Sequence, residues 1–149
     1  MKITTVGLDL AKNIFHAVGI NKENEVVLKE MLKRPQVLPF FSKMEPTRIA
    51  MEACCGAHYW GRELGKQGHE VKLIPPHAVK AYVQGNKNDY NDALAIAESS
   101  TRPKLRCVKV KTVAEQDIQA LHRFKQGVTR QRTQLGNQIR GLLSEYGIV

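Results

Sequence analysis

The sequence predicts an α/β fold: a mixed five-stranded sheet flanked by helices, followed by a long basic C-terminal helix. Closely spaced strands near the N-terminus predict a meander, and later strand, helix and strand patterns predict parallel additions to it. A heptad-like apolar pattern from Thr112 onward predicts the long helix. With 149 residues, 42% of them hydrophobic, the chain can form one domain with an appended element. We expect these parts at residues 1–104 and 105–149.

The first strand carries a carboxylate where strands rarely have one. Val6, Leu8 and Leu10 alternate with Gly7 and Asp9, which puts the apolar side chains on one face and the carboxylate on the other. An ionised Asp beside a packed sheet is unfavourable unless a cation compensates it. Asp9 therefore indicates a metal site, or it simply ends an exposed edge strand.

The next segments predict the rest of the sheet. Residues 14–20 and 26–32 form two further strands joined by short turns, as in an antiparallel meander. Residues 48–52 and 71–74 predict the fourth and fifth strands, with a helix from Gly56 between them. A crossover of this length implies parallel pairing, so the first and fourth strands are expected to be neighbours.

Four carboxylates stand at the ends of these elements. Glu52 ends the fourth strand, so it is expected beside Asp9. Asn88 is predicted to cap a helix in which Asp89 and Asp92, three residues apart, project to one side. Acidic residues are also common in the first turn of a helix for dipole reasons alone. Together, the four oxygen donors suit a pair of magnesium ions acting on a phosphodiester.

The cysteines and histidines form no metal-binding pattern. Three cysteines, two of them adjacent, suit neither a disulfide framework nor a zinc site. We expect them to be reduced core or near-core residues: Cys54, Cys55 and Cys107. The histidines without regular spacing are interpreted as surface or structural residues: His58, His69 and His77.

Positive charge is concentrated in the last third of the chain. Residues 101–149 contain 10 Lys and Arg against 3 Asp and Glu, a net +7 out of +9 for the whole chain. Such a distribution is typical of a nucleic-acid partner, although basic helices also occur as plain solvated surface. Apolar residues recur every seven positions in the long helix: Leu121, Val128, Leu135 and Leu142. Because glycines interrupt this seam, it is expected to pack on another subunit or domain.

At this point the chain resembles a known family, the DEDD transposases of the insertion-sequence 110 family. These are related to the Piv invertases, and their amino-terminal domain has the ribonuclease H-like fold of the RuvC resolvases. The resemblance spans essentially the whole chain. It is carried by GLDLAK at 7–12, MEACCG at 51–56 with Tyr59 and Trp60, LIPP at 73–76, KNDYNDA at 87–93, Arg102 and Pro103 with VKVKT at 108–112, and RGLLSEYGI at 140–148.

The resemblance implies a function and a site. It implies DNA strand cleavage and exchange that depends on Mg²⁺, with Mn²⁺ as a substitute, and that a structured bridge RNA directs to target and donor DNA. The family's metal-binding and catalytic tetrad falls on Asp9, Glu52, Asp89 and Asp92. Many relatives have Thr where this chain has Asn88, a change that preserves helix capping.

Several expectations about partners follow. Family members continue into a second domain with a serine implicated in the covalent DNA step, so we interpret these 149 residues as a fragment. We expect dimers or larger assemblies in the cytoplasm, since no signal peptide or membrane span is evident. The residues expected to contact nucleic acid are Lys12, Arg123, Lys125, Arg130, Arg132 and Arg140.

Three other functions are compatible with parts of the pattern. A junction resolvase of the RuvC type would use the same acids, and a non-catalytic fragment would bind nucleic acid through the basic helix. An actin-like ATPase also begins with an apolar strand, Gly and Asp. It is the least favoured because the sequence contains no second glycine-rich phosphate loop.

Overall fold

A computed structural model describes residues 2–83 and 88–149 of the chain. These fall into two compact units, Met1–Val110 and Lys111–Val149. The predicted break at Gly85, Asn86 and Lys87 lies outside the described residues. The division into a domain of residues 1–104 and a connector with a helix remains a prediction.

The first unit is built on the mixed five-stranded sheet that the sequence predicts. Its strands are β1 (Thr5–Asp9), β2 (Ile14–Ile20), β3 (Val26–Lys33), β4 (Arg48–Glu52) and β5 (Glu70–Ile74). The strand order is β3-β2-β1-β4-β5. β2 pairs antiparallel with both β1 and β3, whereas β4 pairs parallel with both β1 and β5.

Helices cover both faces of this sheet. They are α1 (Val37–Phe41), α2 (Ala57–Lys66), α3 (Pro76–Lys80) and α4 (Asp89–Ser99). Gly56 precedes α2 with a φ of 86°, and Gly68 follows it with a φ of 91°, a region that L side chains rarely adopt. Asn88 caps α4 as expected, because its side-chain oxygen accepts a hydrogen bond of 3.0 Å from the backbone N–H of Tyr90.

The two faces of the sheet pack into different clusters. The larger cluster joins Val6, Leu8 and Met51 to Trp60 and Leu64 of α2. The smaller cluster lies on the other face and joins β4 and β5 to α3 and α4 through Ala50, Ile74, Val79, Ala95 and Ile96. Because side chains alternate along a strand, Asp9 and Glu52 belong to the face that α4 covers.

The chain after α4 returns to the outer edge of β5. The backbone N–H of Val108 donates a hydrogen bond of 2.8 Å to the carbonyl oxygen of Leu73, and these residues form an isolated antiparallel bridge. Val110 packs so closely against α2 that a Cβ on Gly61 would lie 2.9 Å from its side chain. This edge of the sheet is therefore covered over a short length.

The second unit contains one long helix, α5 (Val113–Ser144), as predicted. Its start is a capping box: the Thr112 hydroxyl accepts from the Glu115 N–H at 3.2 Å, and the Glu115 carboxylate accepts from the Thr112 N–H at 2.9 Å. The apolar seam is exposed, with Leu121 at 69% and Leu135 at 57%. Among the described residues, no helix has the length and apolar character needed to cross a membrane.

Candidate metal centre at the carboxyl ends of β1 and β4

Asp9 and Glu52 lie side by side at one end of the sheet. β1 and β4 are parallel, and Leu8 is in register with Met51. Each acid is the next residue of its strand, and each ends that strand. The parallel pairing thus confirms the predicted neighbourhood of the first and fourth strands.

The first turn of α4 brings the other two acids to this end. A Cβ atom on Gly7 would lie 2.0 Å from the carbonyl oxygen of Ala93 and 2.7 Å from the backbone nitrogen of Ala97. α4 therefore rests directly on the backbone of β1, which only glycine permits. Asp89, which is exposed, and Asp92, which is partly buried, sit in the first turn of this helix.

The proximity of the carboxylates is visible in the protonation of Asp9. Its pKa is raised from 3.8 to about 6, first by burial and then by the negative charges of Asp92 and Asp89, with a smaller contribution from Glu52. His16 acts in the opposite direction. The raised pKa means that the site favours either a proton on Asp9 or a compensating cation.

His16 also lies beside the acids, although no sequence pattern identified it as part of the site. It is in register with Asp9 on β2, so both side chains point to the α4 face. Its Nδ1 lies 3.7 Å from a carboxylate oxygen of Asp89, and its ring packs edge-to-face on Tyr90 with centroids 4.8 Å apart. The available signal was the hairpin register, together with one polar residue interrupting an apolar strand.

Cys54 lies in the turn after β4, close to the same acids. Burial, followed by the charges of Glu52 and Asp9, raises the pKa of its thiol, so the thiol form is favoured over the nucleophilic thiolate. The expectation of core or near-core cysteines was wrong: Cys54, Cys55 and Cys107 are all exposed and free. They stand in loops, where the apolar surroundings that the sequence suggested do not cover them.

The isolated histidines agree with the structural or surface interpretation. His69 is buried, and its Nδ1 accepts a hydrogen bond of 3.2 Å from the backbone N–H of Thr47. Its Nε2 must then carry the proton that is shared with the carbonyl oxygen of Phe41 at 3.1 Å. His77 is exposed on α3, and His58 is partly buried on α2.

The residues at this end of the sheet suit a hard divalent cation in their chemistry. Four carboxylates supply oxygen donors, and burial together with the charges of its acidic neighbours raises the pKa of Asp9. Nevertheless, across residues 2–83 and 88–149 no group of three or more His, Cys, Asp or Glu side chains is placed to hold a metal ion.

The expected nucleic-acid contacts fall in both units. Lys12 is exposed in the turn between β1 and β2, and its carbonyl oxygen accepts a hydrogen bond of 3.1 Å from Arg34. The other expected contacts are exposed along α5: Arg123, Lys125, Arg130, Arg132 and Arg140. Lys87, in one of the resemblance motifs, lies outside the described residues.

The fold and the acidic end of the sheet define a ribonuclease H-like domain of the RuvC type. The fold is similar to that of T. thermophilus RuvC, solved in complex with a Holliday junction substrate, with a TM-score of 0.50. The match covers 72% of this chain and 100% of that chain at 13% identity, so the likeness concerns the fold.

The chain belongs to the DEDD transposases of the insertion-sequence 110 family, whose family model, described as "Transposase", matches residues 6–148. It is 47% identical over 149 residues to a probable family 20 transposase of Pseudomonas aeruginosa. It is 42% identical over 146 residues to the transposase for insertion sequence element IS1111A of Coxiella burnetii. These matches cover 100% and 98% of this chain but only 44% and 40% of the relatives.

Proposed function

We propose that this chain is the DNA-cleaving domain of a transposase and that Asp9, Glu52, Asp89 and Asp92 hold its divalent metal ions. The observation that carries the proposal is the placement of Asp9 beside Glu52 at the ends of the parallel strands β1 and β4, where α4 rests on β1. Like charges gathered at one end of a sheet are unfavourable unless a cation joins them. Family membership and the RuvC-like fold support the same conclusion.

Each part of the chain has a defined task in this proposal. Asp9 and Glu52 come from paired strands, so their backbones are rigid relative to each other. Asp89 and Asp92 are carried by α4, whose height above β1 is set by Gly7. When bound, a pair of Mg²⁺ ions supplies activation of the attacking oxygen and stabilisation of the leaving oxygen of a phosphodiester.

The expected partners are target DNA, donor DNA and a structured guide RNA, as the family resemblance implies. The charge of α5 supports a polyanionic partner: residues 118–144 contain five Arg and Lys and no Asp or Glu. Phosphate contacts by these residues predict binding that weakens steeply with added salt. We propose Mg²⁺ as the natural metal, with Mn²⁺ able to replace it.

Metal binding is the first test of the proposal. Isothermal calorimetry with Mg²⁺ and Mn²⁺ should show binding to the wild-type chain, and Asp9→Asn and Glu52→Gln should each abolish it. Glu30→Gln, an exposed acid on β3, is the matched control and should bind as the wild type does. Wild-type affinity retained in both Asp9→Asn and Glu52→Gln would contradict the assignment.

Cleavage is the second test, because it separates the transposase domain from a binding module. Duplex, single-stranded and four-way-junction DNA are incubated with the chain and Mg²⁺, with and without the Asp9→Asn substitution. We expect products that the substitution eliminates. Cleavage confined to four-way junctions would instead indicate a resolvase activity.

Self-association through α5 completes the proposal. The apolar seam exposes large side chains that water does not favour, among them Leu121, Phe124 and Leu135. We expect dimers in sedimentation velocity and monomers for the double variant Leu121→Lys with Leu135→Lys. Gln126→Lys with Thr133→Lys adds the same charge away from the seam and should remain dimeric. A monomeric wild type at every concentration would refute this part.

A further inference from the structure

A second basic surface lies in the first unit, and none of the four acids lines it. It is an open cleft of about 560 Å³ between α3 and the segment that follows α4. The residues that line it include three exposed cations, Arg102, Lys104 and Arg106, and two aromatic rings, Tyr82 and His77. Cations beside rings are the combination that binds single-stranded nucleic acids.

The cations of this cleft are available to a ligand. Within the described part of the chain, Arg102, Lys104 and Arg106 form no salt bridge with a carboxylate. The turn that carries them is closed by a hydrogen bond of 3.4 Å from the Leu105 N–H to the Arg102 carbonyl oxygen. Three positive side chains within five residues, on this turn and directly after it, thus have no carboxylate partner among the described residues.

Arg102 is also oriented before any ligand arrives. The central carbon of its guanidinium lies 5.0 Å from the ring centroid of Tyr82. A guanidinium held over a ring keeps the N–H groups at its edge free, and these groups match the oxygens of a phosphate. Tyr82 therefore acts as a positioning residue for Arg102.

The position of the cleft relates it to the proposed metal centre. Pro75 lines the cleft and directly follows Ile74 at the end of β5. Ile74 is in register with Glu52, so the cleft begins at the end of the sheet that carries Asp9 and Glu52. Tyr82 also lines a smaller depression with Asn91 and Glu98 along the side of α4. α4 is about 16 Å long, a length that a few nucleotides cover. Glu98 is the acid among the residues that line this depression, and it repels phosphates there.

We infer that this cleft binds a single-stranded segment of the DNA being cut, with its phosphates on Arg102, Lys104 and Arg106. The identity of the strand as DNA rests on the proposed function, because a strand leaving the four acids along α4 is continuous with the cleaved one. The ribonucleotide alternative is distinguished by the test below.

The test measures binding rather than cleavage. Fluorescence anisotropy is recorded with a labelled 12-nucleotide oligothymidylate and the 149-residue chain in EDTA. The triple variant Arg102→Gln, Lys104→Gln, Arg106→Gln should weaken binding at least about tenfold at low salt. It should also reduce the steepness of log K plotted against the logarithm of the salt concentration by about 2. Lys22→Gln, Lys29→Gln, Lys43→Gln makes the same charge change elsewhere and should alter the affinity less than about twofold.

Two further variants examine the orientation of Arg102. Arg102→Lys keeps the charge but loses the planar fork, and Tyr82→Leu removes the ring beneath it; each should weaken binding about threefold or more. Tyr82→Phe keeps the ring and should bind as the wild type does. Circular dichroism melting of each variant confirms that it is folded.

The outcomes separate this inference from the proposed function. The assignment of the cleft would be overturned if both triple variants lost affinity for the oligothymidylate equally. It would also be overturned if the Arg102, Lys104 and Arg106 variant lost none. The Arg102, Lys104 and Arg106 triple variant is also tested with a 12-nucleotide oligouridylate. If this variant loses binding to the oligouridylate but still binds the oligothymidylate, the assignment of the cleft to DNA is overturned. Because the anisotropy is recorded in EDTA, it needs no metal ion, so failure of the metal titration leaves this measurement unaffected.

Discussion

Gly7 lies directly beneath Ala93: a Cβ atom on Gly7 would be 2.0 Å from the Ala93 carbonyl oxygen, closer than any real contact. The missing side chain lets α4 rest on the backbone of β1, two residues before Asp9. The height of the helix above the sheet determines how far Asp89 and Asp92 stand from Asp9. A single hydrogen atom in place of a methyl group therefore sets the spacing of the proposed metal centre.

Gly7→Ala should destabilise the chain by about 3 kcal/mol, because both obstructing atoms belong to the α4 backbone and move only with the helix. Where the protein remains folded, Mg²⁺ affinity should fall as well. Urea unfolding and calorimetry measure the two effects. Gly65→Ala is the control: nothing lies within 4 Å of its added Cβ, and it should be neutral or stabilise α2 by up to about 1 kcal/mol.

The stability of the metal-free chain should depend on pH through Asp9. The pKa of this group is raised in the folded state from 3.8 to about 6. The folded state therefore binds the proton more tightly than the unfolded state does. This contribution to stability is complete below about pH 3.8 and is lost as the pH rises through about 6.

Asp9→Asn removes this dependence because the amide stays neutral. Its melting temperature should exceed that of the wild type above about pH 7, and the difference should shrink as the pH falls through about 6 and be smallest below about 4. Thermal melts in EDTA between these limits provide the measurement. A difference that does not change with pH would show that Asp9 does not titrate as described.

The sheet could be predicted because its information is local. The alternation of Val6 and Leu8 with Gly7 and Asp9, and the short turns that follow, specify the strands and their order. The parallel crossover then places Asp9 beside Glu52 without any knowledge of side chains. Strands and helices can therefore be predicted where apolar residues recur with a period of two or seven.

The immediate surroundings of the acids were less predictable, because they depend on register and on loops. His16 joins the site only through its pairing opposite Asp9, one residue from positions that face the other way. Cys54 is exposed because it falls in the turn after β4, although its neighbours in sequence are apolar. The cleft with Arg102 and Tyr82 joins segments twenty residues apart, and no sequence pattern indicated that these two side chains would be in contact.

His16 should stabilise the first turn of α4 mainly through its ring. The imidazole packs edge-to-face on Tyr90, whereas its Nδ1 contact with Asp89 is an ion pair only when the ring is protonated. His16→Ala should cost about 2 kcal/mol, and His16→Phe, which keeps an aromatic ring, less than about 1 kcal/mol. Urea unfolding compares them. Equal losses would assign the stabilisation to Asp89 instead.

Arg34 should hold the turn that carries Lys12. Its guanidinium donates to the Lys12 carbonyl oxygen at 3.1 Å and lies 5.2 Å from the Trp60 ring and 5.9 Å from the Phe15 ring. Arg34→Lys keeps the charge but loses the planar group that makes these contacts together, so it should cost about 1 kcal/mol.

The substitution should also loosen the turn beside Asp9 and reduce any contribution of Lys12 to nucleic-acid binding. Urea unfolding measures the first effect, and anisotropy with the oligothymidylate of the cleft experiment measures the second. Lys12→Gln in the Arg34→Lys background tests their connection. If Arg34 acts by holding Lys12, the double variant should bind no more weakly than Lys12→Gln alone. Additive losses would show that Arg34 contacts the nucleic acid independently.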